Sequence, residues 1–262
     1  MAKALGKTAD CEHFVRRAAS YKNVFDPGVG LMRGKDHEGR WREPFDPHGH
    51  ADITEGTSWQ YSWYVPQDVS GLIALHGGKE NFTKKLDELF VQGKPESAED
   101  EERYGVIGEY WHGNEPSHHT IYLYSYAGQN WKAAQRLHQV VSRQYGNKPG
   151  SLSGNDDCGQ MSAWFLFTAL GFYPVCPGSD YYVIGSPAVK KAEMHLSNGK
   201  TFTVVAENLS EKNIYIQSVK LNGKVWTSPF LPFAELKDGG TIVYTMGPEP
   251  NKQWGVDTRL PD

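Results

Sequence analysis

Three cysteines, Cys11, Cys158 and Cys176, are too few and too unevenly spaced for a disulfide framework or a zinc knuckle, so buried free thiols are expected. No apolar run approaches the roughly 20 residues that cross a bilayer. Basic charge is not in excess: 27 Lys and Arg stand against 31 Asp and Glu, a net charge of -4, which gives nucleic acid no electrostatic footprint. A phosphate loop, a dinucleotide fingerprint and a G-x-S-x-G elbow are also missing. The chain opens without an apolar leader. Met1-Ala2-Lys3-Ala4-Leu5-Gly6 resembles the tail of a helix closing at Gly6 more than a natural start, as expected of a chain cut from a longer one.

What remains is a globular chain of 262 residues with 8 Trp, 14 Tyr and 11 Phe. Many of these aromatics sit beside Gly, Asn, Asp and His rather than in periodic core patterns, as in sites that stack sugar rings and bond their hydroxyls. Helical spacing begins at Thr8 or Asp10, with Cys11, Phe14, Val15, Ala18 and Tyr21 forming one buried stripe. Pro66 opens a helix that runs to His76 and stops at Gly77-Gly78. The next helix turns Phe82, Leu86, Leu89 and Phe90 inward. The run Glu96 to Glu102 reads as a solvated acidic loop. Ser117 caps a helix through Ile121 and Tyr126, and further helices run from Trp131 to Tyr145 and up to Leu170. After Pro177-Gly178 the period becomes two, in Tyr181–Ile184, Lys200–Val205, Ile214–Ile216, Val219–Leu221 and Thr241–Tyr244, with Asn222-Gly223 as a hairpin signal. About six helices are thus followed by a small antiparallel β module.

Three polar-aromatic loops precede helices, and loops of a helical barrel gather at one end. The first carries Glu55, Gly56, Trp59 and Gln60; apolar neighbours would raise the carboxyl pKa of Glu55 and suit it to general acid work, unless it is only a surface glutamate. The second carries His112, Asn114, Glu115, His118 and His119. Gly113 and Pro116 break any helical zinc pattern, whereas adjacent amide and carboxylate oxygens suit calcium. The third is Gly154-Asn155-Asp156-Asp157-Cys158-Gly159, where Asn155 or Asp156 caps the next helix, or the acidic pair does chemistry, or both. Separated carboxylates among aromatics are the pattern of glycoside hydrolysis.

Glu55-Gly56-Thr57-Ser58-Trp59-Gln60-Tyr61, His112-Gly113-Asn114-Glu115-Pro116-Ser117-His118-His119 and Gly154-Asn155-Asp156-Asp157-Cys158-Gly159-Gln160-Met161-Ser162-Ala163-Trp164 together resemble glycoside hydrolase family 92, the calcium-dependent exo-α-mannosidases. Tyr126-Ala127-Gly128-Gln129 and Gly171-Phe172-Tyr173-Pro174-Val175 add to the resemblance. It implies an inverting enzyme that removes terminal α-linked mannose, often α-1,2-linked, from glycans outside the cytoplasm (periplasmic or extracellular). By the same resemblance Glu55 matches the general acid and the acidic pair the base, with Asp157 preferred to Asp156. Asn114 and Glu115 match the calcium loop, to which Gln60 adds a backbone oxygen. Trp59, His112, His118 and His119 are candidate sugar contacts. An inverting pair should stand about 6.5–9.5 Å apart to admit water.

The implied fold is mainly α with a β module: residues 1–178 as the second half of an (α/α)6 toroid and 179–262 as the antiparallel β module. The family's N-terminal β-sandwich and first barrel helices have no counterpart in the sequence. Half a barrel leaves apolar helix faces uncovered, which favours self-association or pairing with the missing half. Beside the enzyme stand an inactive or mannose-binding remnant and a related glycoside phosphorylase.

Overall fold

The structure is a computed structural model and describes residues 1–93 and 104–260. The acidic run Glu96 to Glu102 lies outside the described residues. Contacts divide the chain into two compact units, Met1–Gly93 and Lys94–Asp262.

The first unit begins with α1 (Thr8–Ala18), which buries none of its residues. Phe14 and Val15 are 61% and 66% exposed, so the stripe expected to be buried stands open, covered by nothing among the described residues. Two short strands, β1 (Phe25–Asp26) and β2 (Leu31–Met32), pair antiparallel. A short helix, α2 (Ser58–Tyr61), follows a capping box in which the Thr57 N–H donates to Gln60 Oε1 at 2.9 Å. Pro66 begins a single 3-10 turn; α3 (Val69–Leu75) then starts on Asp68, whose carboxylate accepts from the Gly71 N–H at 2.8 Å. After Gly77-Gly78 comes α4 (Lys79–Leu89), with Phe82, Leu86 and Leu89 inward as its spacing requires. At the centre Trp63 stacks on His76 with ring centroids 5.5 Å apart, and Phe82 and Phe25 meet the imidazole edge-on. Burial and the nearby Lys85 charge push the His76 pKa down to about 4.

The irregular segment 23–58 is organised by Arg33. Its buried guanidinium bonds Asp26 at 3.1 Å, Glu43 at 3.0 Å and the Arg42 carbonyl, and lies 4.3 Å from the Phe45 ring centroid. A planar cation with five donors serves carbonyl and carboxylates together, so a segment with little secondary structure still has one arrangement.

Among its described residues the second unit has first the hairpin β3 (Val106–Ile107) and β4 (Tyr110–Trp111). Instead of one helix capped by Ser117, two 3-10 turns (Glu115–Ser117, with Pro116 in its first positions, and Thr120–Tyr122) lead into the short α5 (Leu123–Tyr126). The longer helices are α6 (Asn130–Gln144) and α7 (Gln160–Leu170). A three-stranded sheet has the order β11 (Phe230–Pro232), β6 (Tyr181–Ile184), β5 (Phe172–Tyr173). A five-stranded sheet has the order β10 (Lys224–Trp226), β9 (Tyr215–Leu221), β12 (Gly240–Gly247), β8 (Thr201–Glu207), β7 (Lys191–His195). Between β9 and β10, Asn222 and Gly223 have φ of 50° and 79°, the hairpin turn that their sequence predicts. The antiparallel expectation needs correction: β12 runs parallel to β8 and antiparallel to β9, so this sheet is mixed. Phe202, Val204, Ile216, Val219, Leu221 and Ile242 fill its core with Phe172 and Tyr244. A short helix, α8 (Phe233–Leu236), precedes β12. The cysteines are not buried as expected: Cys158 is exposed, and Cys11 and Cys176 are half-buried.

Candidate active site

Within the second unit, two of the three motif loops meet backbone to backbone. Gly113 of the His112–His119 loop lies against Gly154 of the acidic loop. A Cβ on Gly154 would stand 2.7 Å from the Gly113 carbonyl oxygen, and one on Gly113 would stand 3.2 Å from Gly154 N and Cα. Only glycine fits both positions, and Gly154 also has a φ of 68°. The Gly113 N–H donates to the Tyr104 carbonyl at 2.9 Å.

Beneath this contact His112 and His118 are buried, and hydrogen-bond directions assign their protons. Tyr145 O–H donates to the Met161 carbonyl at 3.2 Å, so its oxygen accepts from His112 Nε2–H at 2.7 Å. His112 Nδ1 therefore accepts from Tyr110 O–H at 2.9 Å. His118 Nε2–H donates to the His112 carbonyl at 2.9 Å, which leaves His118 Nδ1 to accept from Gln160 Nε2–H at 3.1 Å. Trp164 closes the cluster: its indole N–H donates to the His118 carbonyl at 3.0 Å and its ring meets His112 edge-on at 4.2 Å. Burial is the first reason that both imidazoles stay neutral; His112 is held well below the usual range and His118 is pushed down to about 4. Burial likewise keeps the Tyr110 and Tyr145 phenols protonated. The proton pattern is consistent: each neutral ring has one donor and one acceptor, and all four nitrogens are used.

Helix α7 explains the acidic loop. Asp156 Oδ1 accepts from the Ser162 N–H and hydroxyl, both at 3.0 Å, and its carbonyl accepts from the Gly159 N–H at 3.1 Å. Asp156 thus does the capping that its sequence position suggests, although Gly159 is the residue before the first helical turn. Asp157 and Cys158 have φ of 46° and 60°, and Gly159 of 94°. Three successive left-handed residues, two of them not glycine, are costly and recur where a loop must aim a side chain. Asp157 is exposed, and its carboxylate carries no hydrogen bond or ion pair among the described residues.

Asn114 and Glu115 are half-exposed on the turn just after Gly113, and His119 is buried behind them. With every nitrogen of His112 and His118 bonded, these two imidazoles offer a metal nothing. No group of three or more His, Cys, Asp or Glu among the described residues could hold a metal ion. The amide and carboxylate oxygens of Asn114 and Glu115 fit a hard cation whose remaining ligands are backbone oxygens, water or hydroxyls.

Glu55 belongs to the first unit. It is exposed rather than wrapped by the aromatics near it in sequence, since Trp59 and Trp63 turn into the core at 5% and 0% exposure. Lys85 Nζ lies 4.2 Å from the Trp59 ring centroid. Gln60 is buried and spends its Oε1 on the capping bond, while Gln60 Nε2 and Trp59 Nε1 have no partner among the described residues. Sequence reasoning did not single out Tyr110, Tyr145, Gln160 or Trp164 as parts of the site. The signal for Gln160 and Trp164 was a polar residue and an indole inside an apolar helix start; for Tyr145, a phenol where a helix ends.

The profile of the Glycosyl hydrolase family 92 catalytic domain matches residues 1–248. A family GH92 α-mannosidase from Bacteroides thetaiotaomicron, solved in complex with mannoimidazole, superposes with a TM-score of 0.92 at 46% identity, over 98% of this chain and 35% of that one. A family GH92 inverting mannosidase from the same organism superposes with a TM-score of 0.87 at 39% identity, over 98% of this chain and 36% of that one. A protein of Arthroderma benhamiae described as an uncharacterized secreted glycosidase is 30% identical over 98% of this chain and 34% of its own length. The chain spans about a third of the length of each of these relatives. It belongs to glycosyl hydrolase family 92.

Proposed function

We propose that this chain carries the machinery of an exo-acting, inverting α-mannosidase that releases terminal mannose, α-1,2-linked by preference, from glycans outside the cytoplasm. The observation that carries the reading is the joining of the Asn114-Glu115 turn to the Asp156-Asp157 loop through Gly113 and Gly154, in a chain of this family. Glu55 is the general acid and gives its proton to the leaving glycosidic oxygen. Asp157 is the base: Asp156 is spent on Ser162, whereas Asp157 is unbonded and set in a left-handed loop. It takes the proton of a water that attacks from the opposite face, so β-mannose forms first. Asn114, Glu115 and the Gln60 carbonyl would hold calcium. When bound, the ion would supply positive charge for the sugar's hydroxyl oxygens. Trp59, turned into the core, supports the Glu55 loop rather than stacking on the sugar, His119 lies next to the sugar-binding turn in sequence, and His112 and His118 shape the loop from within. Residues 1–178 correspond in this reading to the second half of an (α/α)6 toroid and 179–262 to the β module. A relative described as secreted supports the extracytoplasmic placement.

The test is mannose release from an α-1,2-mannobioside, with the anomer followed by proton NMR. The proposal expects β-mannose first, loss of release with a chelator, and a fall of about 10²–10⁴-fold in Glu55→Gln. Because the chain spans about a third of its relatives, a mannose-binding remnant is the second reading. Sugar binding without turnover at high protein concentration would establish that reading. Phosphate-stimulated cleavage would point instead to a phosphorylase.

A further inference from the structure

We infer that Gln160 and Tyr145 are positioning residues that lock the Asn114-Glu115 turn to the Asp156-Asp157 loop, so that the two loops open and close as one body. The inference rests on the functional reading above for its purpose, but its geometry lies wholly in the second unit.

Gln160 opens α7, three residues after Asp157. Its amide donates to His118 Nδ1 at 3.1 Å and reaches Tyr173 Oη at 3.4 Å. The opposite edge of the His118 ring donates to the carbonyl of His112, two residues before Asn114. Tyr145 runs a second strut in parallel: it accepts from His112 Nε2–H and donates to the Met161 carbonyl in the first turn of α7. Both struts thus begin on the metal-type turn's own loop and end on the helix that Asp156 caps. The imidazoles at the inner end of each strut are buried while Gln160 and Tyr145 are half-buried, so a broken link leaves a ring nitrogen poorly placed to find water in its partner's stead. Imidazole rings suit this place because each spans two fixed bonds with no torsion inside the ring. Gly113 and Gly154 hold the two loops at contact distance, and the struts fix their angle.

Gln160→Met keeps length and removes the amide; Tyr145→Phe removes only the hydroxyl. Hydrogen exchange read by NMR should show the Ser117 and His118 amides and the Gly159 and Ser162 amides speeding up together, by about tenfold, in each variant. The Val204 amide, in the mixed sheet of the same unit, should not change. A general loss of stability would move Val204 as well. Nitrogen-15 spectra should place the proton of both histidines on Nε2 in the unaltered chain, and in Gln160→Met the His118 Nδ1 resonance should shift toward that of an unbonded imidazole nitrogen. Acceleration confined to one loop, acceleration shared by Val204, or a proton on Nδ1 of either ring would overturn the inference. Calorimetric titration with Ca²⁺ separates it from the reading on which it rests. Binding that weakens about tenfold in Gln160→Met supports both. Absence of binding in the unaltered chain removes the calcium assignment, and the exchange pattern then decides the coupling alone.

Discussion

Alanine at Gly154 meets two obstacles whose sizes follow from the backbone. Its Cβ would lie 2.7 Å from the Gly113 carbonyl oxygen and 2.9 Å from Gly113 Cα, both main-chain atoms that cannot swing aside. Overpacking of this kind costs about 1–3 kcal/mol. The φ of 68° adds about 1–2 kcal/mol for a residue with a Cβ. Two controls isolate these contributions. Gly113→Ala meets Tyr104 O at 2.9 Å and Gly154 N and Cα at 3.2 Å, without a left-handed φ, so the clash stands alone. Gly159→Ala has a φ of 94° and no atom within 4 Å, so the backbone cost stands alone. Urea unfolding followed by tryptophan fluorescence, with the slope held as a check, should give Gly154→Ala the largest loss, roughly 2–5 kcal/mol, and each control less. A Gly154→Ala loss no greater than that of Gly159→Ala would refute the backbone contact between the two loops.

Asp156→Asn should weaken the start of α7 and cost about 1 kcal/mol, since Ser162 loses a charged acceptor, whereas Asp157→Asn should leave the urea midpoint unchanged and abolish mannose release. Equal stability losses in the two would show that Asp157 is also bonded. His76 takes up its proton near pH 6.5 when unfolded but only near pH 4 when folded. The first unit should therefore hold its full stability above about pH 6.5 and lose up to about 3 kcal/mol as the pH falls through 4; His76→Gln should flatten that fall in a pH series of thermal melts. Arg33→Met leaves the buried Asp26 carboxylate without its cation and should cost about 3–5 kcal/mol by chemical denaturation. Arg33→Lys should recover only part, because an ammonium cannot reach Asp26, Glu43 and the Arg42 carbonyl in one plane.

Features decided by a few neighbouring residues were legible in the sequence. Asn222-Gly223 names its own turn, Gly77-Gly78 ends a helix, and Asp156 stands where a helix needs an acceptor. Features decided by what lies opposite were not. The α1 stripe has the spacing of a buried face, yet nothing among the described residues covers Phe14 or Val15. The parallel pairing of β12 with β8 depends on a strand order that alternation cannot express. Glycines 113 and 154 each read as loop punctuation, and only their mutual contact shows why a Cβ is forbidden at both. The histidines of the second loop looked like exposed ligands because polar rings beside Gly, Asn and Glu usually are. Burial against Trp164 and the phenols of Tyr110 and Tyr145 turned His112 and His118 into struts.

The order of the five-stranded sheet constrains how the second unit is made. Its middle strand, β12 (Gly240–Gly247), is the last of the five to leave the ribosome. Until it arrives, β7–β8 and β9–β10 are two separate hairpins, each with the edge that β12 will cover still unpaired and with Val204, Val219 or Leu221 open to water. The nascent chain must keep those edges from pairing with other chains while α8 and the turn before Gly240 are synthesised. A message that stops before Gly240 therefore yields two sticky ribbons rather than a smaller sheet.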